Sequence, residues 1–474
     1  MIDLNNLTIE KAHESLKAGE YTVAELAQAY LDVIKEKNPD LNAYLEVYDD
    51  VMQQAERAQA MFASGTATLL TGIPVANKDN ILIKGKEATA ASKILEGYTA
   101  TYTASVAQKL IDQGVVFLGR TNMDEFAMGS SVQTSAYGVT RNPLDRERVP
   151  GGSSGGSSAA VAAHMALIAL GSETCGSIRQ PAAYTGLVGF KPTYGSVSRS
   201  GLISMANSLD QICPLAHTVR DAEILHTSLS FHDPMDATTV PSEMRIAKPR
   251  AKTMKIAVPS DIMKGEGMDK EVHEAFIKSI EAFKVLGYEI VTMDFPLMPY
   301  SLAVYYIIMP AELSTNLERL DGIRYGYSAS EAKDLADFYS KTRGVGFGKE
   351  SRRRILLGTY VLSHGYYDAY YKKAVLLRDA ITRELDTAFE SVDFYITPTA
   401  PTLPFKIGEK MTDPVAMYYS DIFSAPANLS GCPAIAVPTG KTPEGLPTSL
   451  QITAPRWEDE KLFEIGKALE RVLQ

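Results

Sequence analysis

Cysteine is scarce in this sequence. Three occur among 474 residues, Cys175, Cys213 and Cys432, odd in number and far apart. That spacing argues against a disulfide framework and against a paired-cysteine metal knuckle, and a reducing cytoplasm is the simplest setting. Histidine is scarce too. The seven present form no H-E-x-x-H and no paired ligand spacing, which disfavours metal catalysis. Positive charge is in deficit: Lys plus Arg number 47 against 57 Asp plus Glu, a net charge of −10. The chain therefore lacks the basic footprint of a protein that grips nucleic acid by itself. Long apolar runs are missing. The longest, Ala159 to Leu170, is about 12 residues and carries His164, short of the roughly 20 needed to span a bilayer. Met1-Ile2-Asp3-Leu4-Asn5 has neither a basic nor an apolar region, so no signal peptide is expected.

What remains is an ordinary globular composition, 45% hydrophobic and 22% charged, with ample apolar material to exclude disorder as the main state. The length allows roughly two to four domains or one large one. The first 70 residues read as a helical segment packed on the core. Thr22-Val23-Ala24-Glu25 has the form of a capping box. Val23, Leu26, Ala27, Tyr30, Leu31 and Ile34 then keep an amphipathic rhythm, which Asn38-Pro39 is expected to end. From about residue 72 short apolar runs alternate with helical stretches. Strands are expected at 72–76, 115–118, 255–258, 289–291, 394–396, 434–437 and 450–452, with helices at 105–113 and 271–286. This alternation predicts an α/β fold with a large mixed sheet flanked by helices, one domain over 71–474. The stretch 302–386 is a candidate helical cap, and 233–252 is the best loop or linker candidate.

The most unusual local composition is Gly151-Gly152-Ser153-Ser154-Gly155-Gly156-Ser157-Ser158. It could be a flexible linker, but it runs straight into the buried-helix pattern of Ala159 to Ala166. A glycine-rich turn opening a helix presents backbone N–H groups to an anion or oxyanion. A phosphate loop is not indicated: no G-x-x-x-x-G-K-[ST] occurs, and Gly344-Val345-Gly346-Phe347-Gly348 lacks the strand-turn-helix context. Gly152-Ser153-Ser154-Gly155-Gly156 also matches G-x-S-x-G, the nucleophile elbow of α/β-hydrolases. That elbow follows a strong strand, and Arg146-Glu147-Arg148-Val149-Pro150 is a poor one.

A third reading adds Gly171-Ser172-Glu173-Thr174-Cys175-Gly176-Ser177-Ile178-Arg179-Gln180-Pro181 and Ala76-Asn77-Lys78-Asp79-Asn80. The three blocks together resemble the amidase signature family, whose members use a Ser–cis-Ser–Lys triad, and the 24 residues between Ser153 and Ser177 match its register. The resemblance implies an amidase-signature fold with Ser177 as nucleophile, Ser153 as bridge through a cis peptide to Gly152, and Lys78 as base. A serine hydroxyl needs such a base, and a lysine serves only when burial keeps it neutral. Backbone N–H groups of Thr174, Cys175, Gly176 and Ser177 would form the oxyanion hole.

Within that family, the segments 120–131, 141–143, 191–199, 207–212, 316–326 and 365–371 resemble the A subunits of the glutamyl-tRNA(Gln)/aspartyl-tRNA(Asn) amidotransferases, the GatCAB enzymes. The resemblance implies free glutamine as substrate, with Arg354 on its α-carboxylate, Asp421 on its α-ammonium, Tyr305 at the same end, and Met128 and Ser130 in the pocket. It implies a γ-glutamyl ester on Ser177 and ammonia passed to a B subunit, where ATP, Mg²⁺ and the aminoacyl-tRNA would bind; no cofactor is expected in this chain. A small C subunit would complete the complex, in the cytoplasm and away from membranes. Each residue alone has a plainer reading: Arg352 to Arg354 as a solvated basic run, Asp421 as a helix cap. Three positions depart from the family pattern. Cys175 stands where the family usually has glycine, which is costly if φ there is positive. Cys213 stands where glycine is expected, and His164 replaces a small residue. A stand-alone amidase for small amides, or a weakly active scaffold subunit, are the alternatives.

Overall fold

A computed structural model of the chain describes residues 2–248 and 252–473. Its frame is one sheet of eleven strands in the order β1-β3-β2-β4-β6-β5-β10-β11-β9-β7-β8. The strands are β1 (Tyr44–Val47), β2 (Pro74–Lys78), β3 (Val116–Thr121), β4 (Ile168–Glu173), β5 (Val188–Lys191), β6 (Gln211–Ala216), β7 (Lys255–Pro259), β8 (Glu289–Met293), β9 (Phe394–Pro398), β10 (Ala434–Lys441) and β11 (Pro447–Thr453). The sheet is mixed. β2 runs parallel to β3 and β4, and β7 parallel to β8 and β9, while β4, β6, β5, β10, β11 and β9 are joined by antiparallel pairs. Central strands such as β2, β3 and β4 are buried at every position, because helices cover both faces of a sheet built from crossovers.

One apolar cluster runs from Ile9 to Leu469 and joins the sheet to the helices packed on it. A second cluster joins Met128 and Cys175 to Val304, Tyr305, Ile308 and Met309 of the helix Ser301–Asn316, and to Ile381 and Leu385 of the helix Lys372–Ala388. The stretch expected as a cap thus holds four α-helices, Ser301–Asn316, Leu335–Gly346, Lys349–Leu362 and Lys372–Ala388, and the π-helical turn Tyr367–Tyr371. Among the described residues no helix is long and apolar enough to cross a membrane.

The capping box forms as its sequence dictates: the Thr22 hydroxyl takes the Glu25 N–H at 3.1 Å, and Glu25 takes the Thr22 N–H at 2.7 Å. The helix does not stop at Asn38-Pro39. It continues to Leu41 and closes on Asn42 in the left-handed region, φ 50°, so Pro39 is accommodated inside its last turns. The N-terminal segment is not wholly helical either: Tyr44–Val47 forms β1 and pairs antiparallel with β3. Three central strands, β4, β5 and β6, were not expected. The apolar run 159–170 hides β4, because the helix Gly155–Ala162 ends, His164 turns the chain at φ 57°, and Ile168 begins the strand. The glycine-serine segment is no linker. A Cβ at Gly156 would press on the Asn122 backbone, its nitrogen 2.6 Å away, so the glycine allows the helix to sit against the main chain. The 233–248 stretch is a loop stitched by Asp233 and Asp236, with one short turn at Ser242–Met244; residues 249–251 of the expected linker lie outside the described residues.

Candidate active site

β2 and β4 are parallel neighbours, with Asn77 opposite Leu170. Their carboxyl ends therefore emerge at the same edge, where open α/β sheets place ligand sites. Lys78 is the last residue of β2 and is fully buried. Its Nζ lies 2.8 Å from Ser153 Oγ, 2.8 Å from Ser154 Oγ, 2.9 Å from Ser172 Oγ and 3.1 Å from the Ser172 carbonyl. Burial disfavours the ammonium and brings Lys78 down to about 7, against the opposing pull of Asp124 and more distant acids. A neutral amine has one lone pair, and three hydroxyls face it, so it can take a proton from one of them. Ser153 is fully buried and follows a cis Gly152–Ser153 peptide.

Ser177 lies in the turn between β4 and the helix Arg179–Thr185. The Ser154 N–H donates to the Ser177 carbonyl at 3.2 Å, which joins the turn to the glycine-serine loop. The Ser177 hydroxyl forms no hydrogen bond with a described residue, and no acceptor among them takes the backbone N–H of Cys175, Gly176 or Ser177. The turn is braced from beneath. Glu173 accepts the N–H groups of Ile178 and Arg179 at 3.1 and 3.2 Å and pairs with the fully buried Arg179 guanidinium at 2.5 Å. Thr174 is tied by its hydroxyl to Asp210 at 2.7 Å, a carboxyl that burial pushes up to about 6. The left-handed position of the turn is Gly176, φ 77°. Cys175 does not adopt positive φ, so its side chain imposes no backbone penalty. Its thiol is buried 3.7 Å from Ser424 Oγ, and burial pushes it well above the usual thiol range.

Asp421 stands against this turn. A Cβ on Gly176 would lie 2.9 Å from Asp421 Oδ1 and 2.6 Å from Ser424 Oγ. Asp421 Oδ2 accepts from Ser130 at 3.0 Å and from the Tyr306 hydroxyl at 3.5 Å, while Oδ1 is buried without a partner. Burial pushes this carboxyl up to about 8. A carboxylate in that position is completed by an incoming cation. Arg354, buried on the helix Lys349–Leu362, pairs with Glu350 at 2.8 Å and lies 5.2 and 5.0 Å from the Tyr306 and Tyr418 ring centres. Met128, Ser131, Arg354 and Tyr418 line a cavity of about 230 Å³. That suits a small metabolite, since drug-sized ligands occupy about 300–1,000 Å³. Tyr305 is buried with its ring 4.9 Å from that of Tyr306, and it is Tyr306 whose hydroxyl reaches Asp421.

A family model described as Amidase matches residues 25–463. The chain belongs to the amidase family. It is 47% identical to the A subunit of the glutamyl-tRNA(Gln) amidotransferase of Thermoanaerobacter pseudethanolicus, over 99% of this chain and 97% of that one. The crystal structure of the A subunit of the Thermotoga maritima glutamyl-tRNA(Gln) amidotransferase superposes with a TM-score of 0.81 at 42% identity, covering 99% of this chain and 96% of that one. A more distant amidase-fold neighbour is 6-aminohexanoate cyclic dimer hydrolase, with a TM-score of 0.83 at 25% identity over 100% and 98% of the two chains.

The structure thus gathers Lys78 and Ser153 by direct contact, Ser177 through the adjoining turn, and Ser130 and Asp421 by hydrogen bond. Met128 and Arg354 form the wall of the neighbouring cavity. Sequence reasoning gave no role to Ser172, whose hydroxyl sits between Lys78 and Asn80 Nδ2 at 2.9 Å from each. Nor did it single out Tyr306, Glu173, Arg179 or Asp210. Ser172 and Glu173 lie within the very motif that placed Ser177, and only the structure shows that Ser172 meets Lys78 while Glu173 braces the turn with Arg179. Cys213 is a packing residue of β6 opposite Gly171, and His164 stacks on His217 at 4.8 Å. No group of three or more His, Cys, Asp or Glu side chains able to hold a metal lies among the described residues.

Proposed function

We propose that this chain is the glutaminase subunit of a tRNA-dependent amidotransferase. The observation that carries the reading is the unpartnered Asp421 Oδ1 beside Gly176, one residue from Ser177. An ordinary apolar amide has no cation to offer it. Free glutamine does, and its carboxylate would find Arg354, whose planar fork suits that partner. Full-length similarity to curated A subunits supports the same assignment.

In this reading neutral Lys78 takes the Ser153 proton while Ser153 takes that of Ser177. Ser177 Oγ bonds to the side-chain amide carbon of glutamine. The oxygen of the tetrahedral intermediate is held by N–H groups of the Thr174–Ser177 turn. The proton returns through Ser153 to the amide nitrogen, the C–N bond breaks, and ammonia leaves a γ-glutamyl ester on Ser177. Water, activated by the same lysine relay, hydrolyses the ester to glutamate. Ammonia then serves a B subunit, on which ATP, Mg²⁺ and Glu-tRNA(Gln) or Asp-tRNA(Asn) would bind, with a C subunit completing a cytoplasmic complex. The acidic balance of this chain agrees with leaving the tRNA to a partner.

A stand-alone amidase is the second reading, favoured by the neighbour that hydrolyses a small cyclic amide. The scaffold reading has Cys175 as its one support, and the non-positive φ there means that the cysteine imposes no left-handed strain on the turn. Ammonia release from L-glutamine by the chain co-purified with its partners, wild type against Ser177→Ala, tests the proposal. Release abolished by the substitution supports it; release retained removes Ser177 as nucleophile; turnover of simple aliphatic amides in preference to glutamine favours the second reading.

A further inference from the structure

Among the described residues no acceptor holds the N–H groups of Cys175, Gly176 and Ser177, yet those groups must point at one spot to within a few tenths of an ångström. β6 begins at Gln211, which faces Glu173, the last residue of β4. Asp210 is therefore one residue before the start of β6, opposite Thr174, and both are buried. The Thr174 hydroxyl donates to Asp210 Oδ1 at 2.7 Å, adding a side-chain rung where the backbone ladder stops. The other oxygen is anchored independently: Oδ2 accepts the N–H groups of Met205 and Ala206 at 2.8 and 2.9 Å. That turn is itself held, with the Asp210 N–H on the Ala206 carbonyl at 2.9 Å and Asn316 Nδ2 on the Met205 carbonyl at 3.0 Å.

We propose that Asp210 is the positioning residue of the oxyanion hole, fixing Thr174, and through it the 175–177 turn, against the 205–206 turn. The proposal rests on the reading of Ser177 as nucleophile. The Asp210 carboxylate bonds to Thr174, Met205 and Ala206 and not to Ser177, so its removal is expected to act on the transition state while Arg354 and Asp421 still bind the substrate. Asparagine can replace it. The amide oxygen accepts the Met205 and Ala206 N–H groups, and the amide nitrogen donates to the Thr174 hydroxyl, which can accept as well as donate.

The test is steady-state ammonia release from glutamine by the full chain in its purified assembly. Asp210→Ala is expected to lower kcat by about tenfold to a hundredfold with KM within about twofold, below the loss for deleting a whole oxyanion donor. Asp210→Asn is expected to recover most of that loss. Thr174→Val removes the hydroxyl alone and is expected to match Asp210→Ala, with the double variant no worse than the weaker single. Losses that multiply in the double variant, a change confined to KM, or an unchanged kcat in folded Asp210→Ala would overturn the proposal. If Asp210→Ala does not fold, an unchanged kcat in Thr174→Val overturns it alone. Ser177→Ala separates the two levels: release retained there removes the nucleophile, whatever Asp210 does.

Discussion

Two buried groups govern how activity should respond to pH, and they act at different stages. Lys78 must be neutral to take a proton, and burial places it at about 7. Asp421 must be ionised to hold an ammonium, and burial places it at about 8 in the unliganded chain. Both conditions apply to kcat/KM, which reports the free enzyme, whereas kcat reports the complex. Once glutamine is bound, its ammonium supplies the partner that Asp421 Oδ1 lacks and holds the carboxylate ionised well below its free value. At pH 6, about a tenth of Lys78 is neutral and about a hundredth of Asp421 is ionised, so kcat/KM should be about a thousandth of its plateau while kcat is about a tenth. The acid limb of kcat/KM should therefore steepen from slope one between pH 8 and 7 to slope two below it, while kcat stays near its plateau above pH 7 and falls with slope one below it. Asp421→Asn should lower the plateau of kcat/KM and reduce its limb to slope one. The assay is ammonia release across pH 5.5–8.5 at constant ionic strength. Parallel unit slopes for both parameters in the wild type, unaffected by Asp421→Asn, would refute the assignment of Asp421 to the ammonium.

Arg354→Lys keeps the charge but loses the planar fork, and should raise KM for glutamine by about tenfold to a hundredfold with kcat little changed, given about 1.5–3 kcal/mol for a charge-assisted hydrogen bond. Gly176→Ala forces an L-residue to φ 77° and drives its Cβ onto Ser424 and Asp421; glutaminase activity should be abolished, with a loss of about 1–3 kcal/mol in denaturant unfolding. Cys175 is buried, its thiol is held in the neutral form, and its φ is not positive. A small alkylating reagent should therefore leave it unmodified in the native chain, and Cys175→Gly should keep full activity, both checked by peptide mass and ammonia release.

Sequence carried the fold class because the alternation of short apolar runs with helical stretches is a local signal. It lost β4, β5 and β6 for physical reasons. β4 shares one apolar run with the preceding helix, separated only by the left-handed turn at His164. β6 contains Pro214, which cannot donate to the ladder and depresses strand propensity, although neighbours on both sides make it central. Pro39 marks a helix end by propensity, but the helix runs through it because Asn42 can take the left-handed cap that closes it. At the site, Lys78, Ser153 and Ser177 were legible because three separate blocks had to agree in type and spacing. Arg354 and Asp421 were legible only through the family pattern; composition gives an arginine run and a lone aspartate. Tyr306 against Tyr305 could not be chosen from sequence, since adjacent tyrosines on one helix differ only in the face they present. The role proposed for Asp210 is not legible in sequence, because the contact behind it spans 36 residues and joins two loops.

The proposed mechanism stands on a γ-glutamyl ester at Ser177. Peptide mass spectrometry of the chain, acid-quenched in its purified assembly during turnover of L-glutamine, reads that ester without an intermediary. A mass increase of one γ-glutamyl group on the peptide carrying Ser177, absent from Ser177→Ala, is the predicted result. A glutamyl group on Ser153 or Ser154 instead, or wild-type turnover with no acylated serine at any quench time, would contradict it.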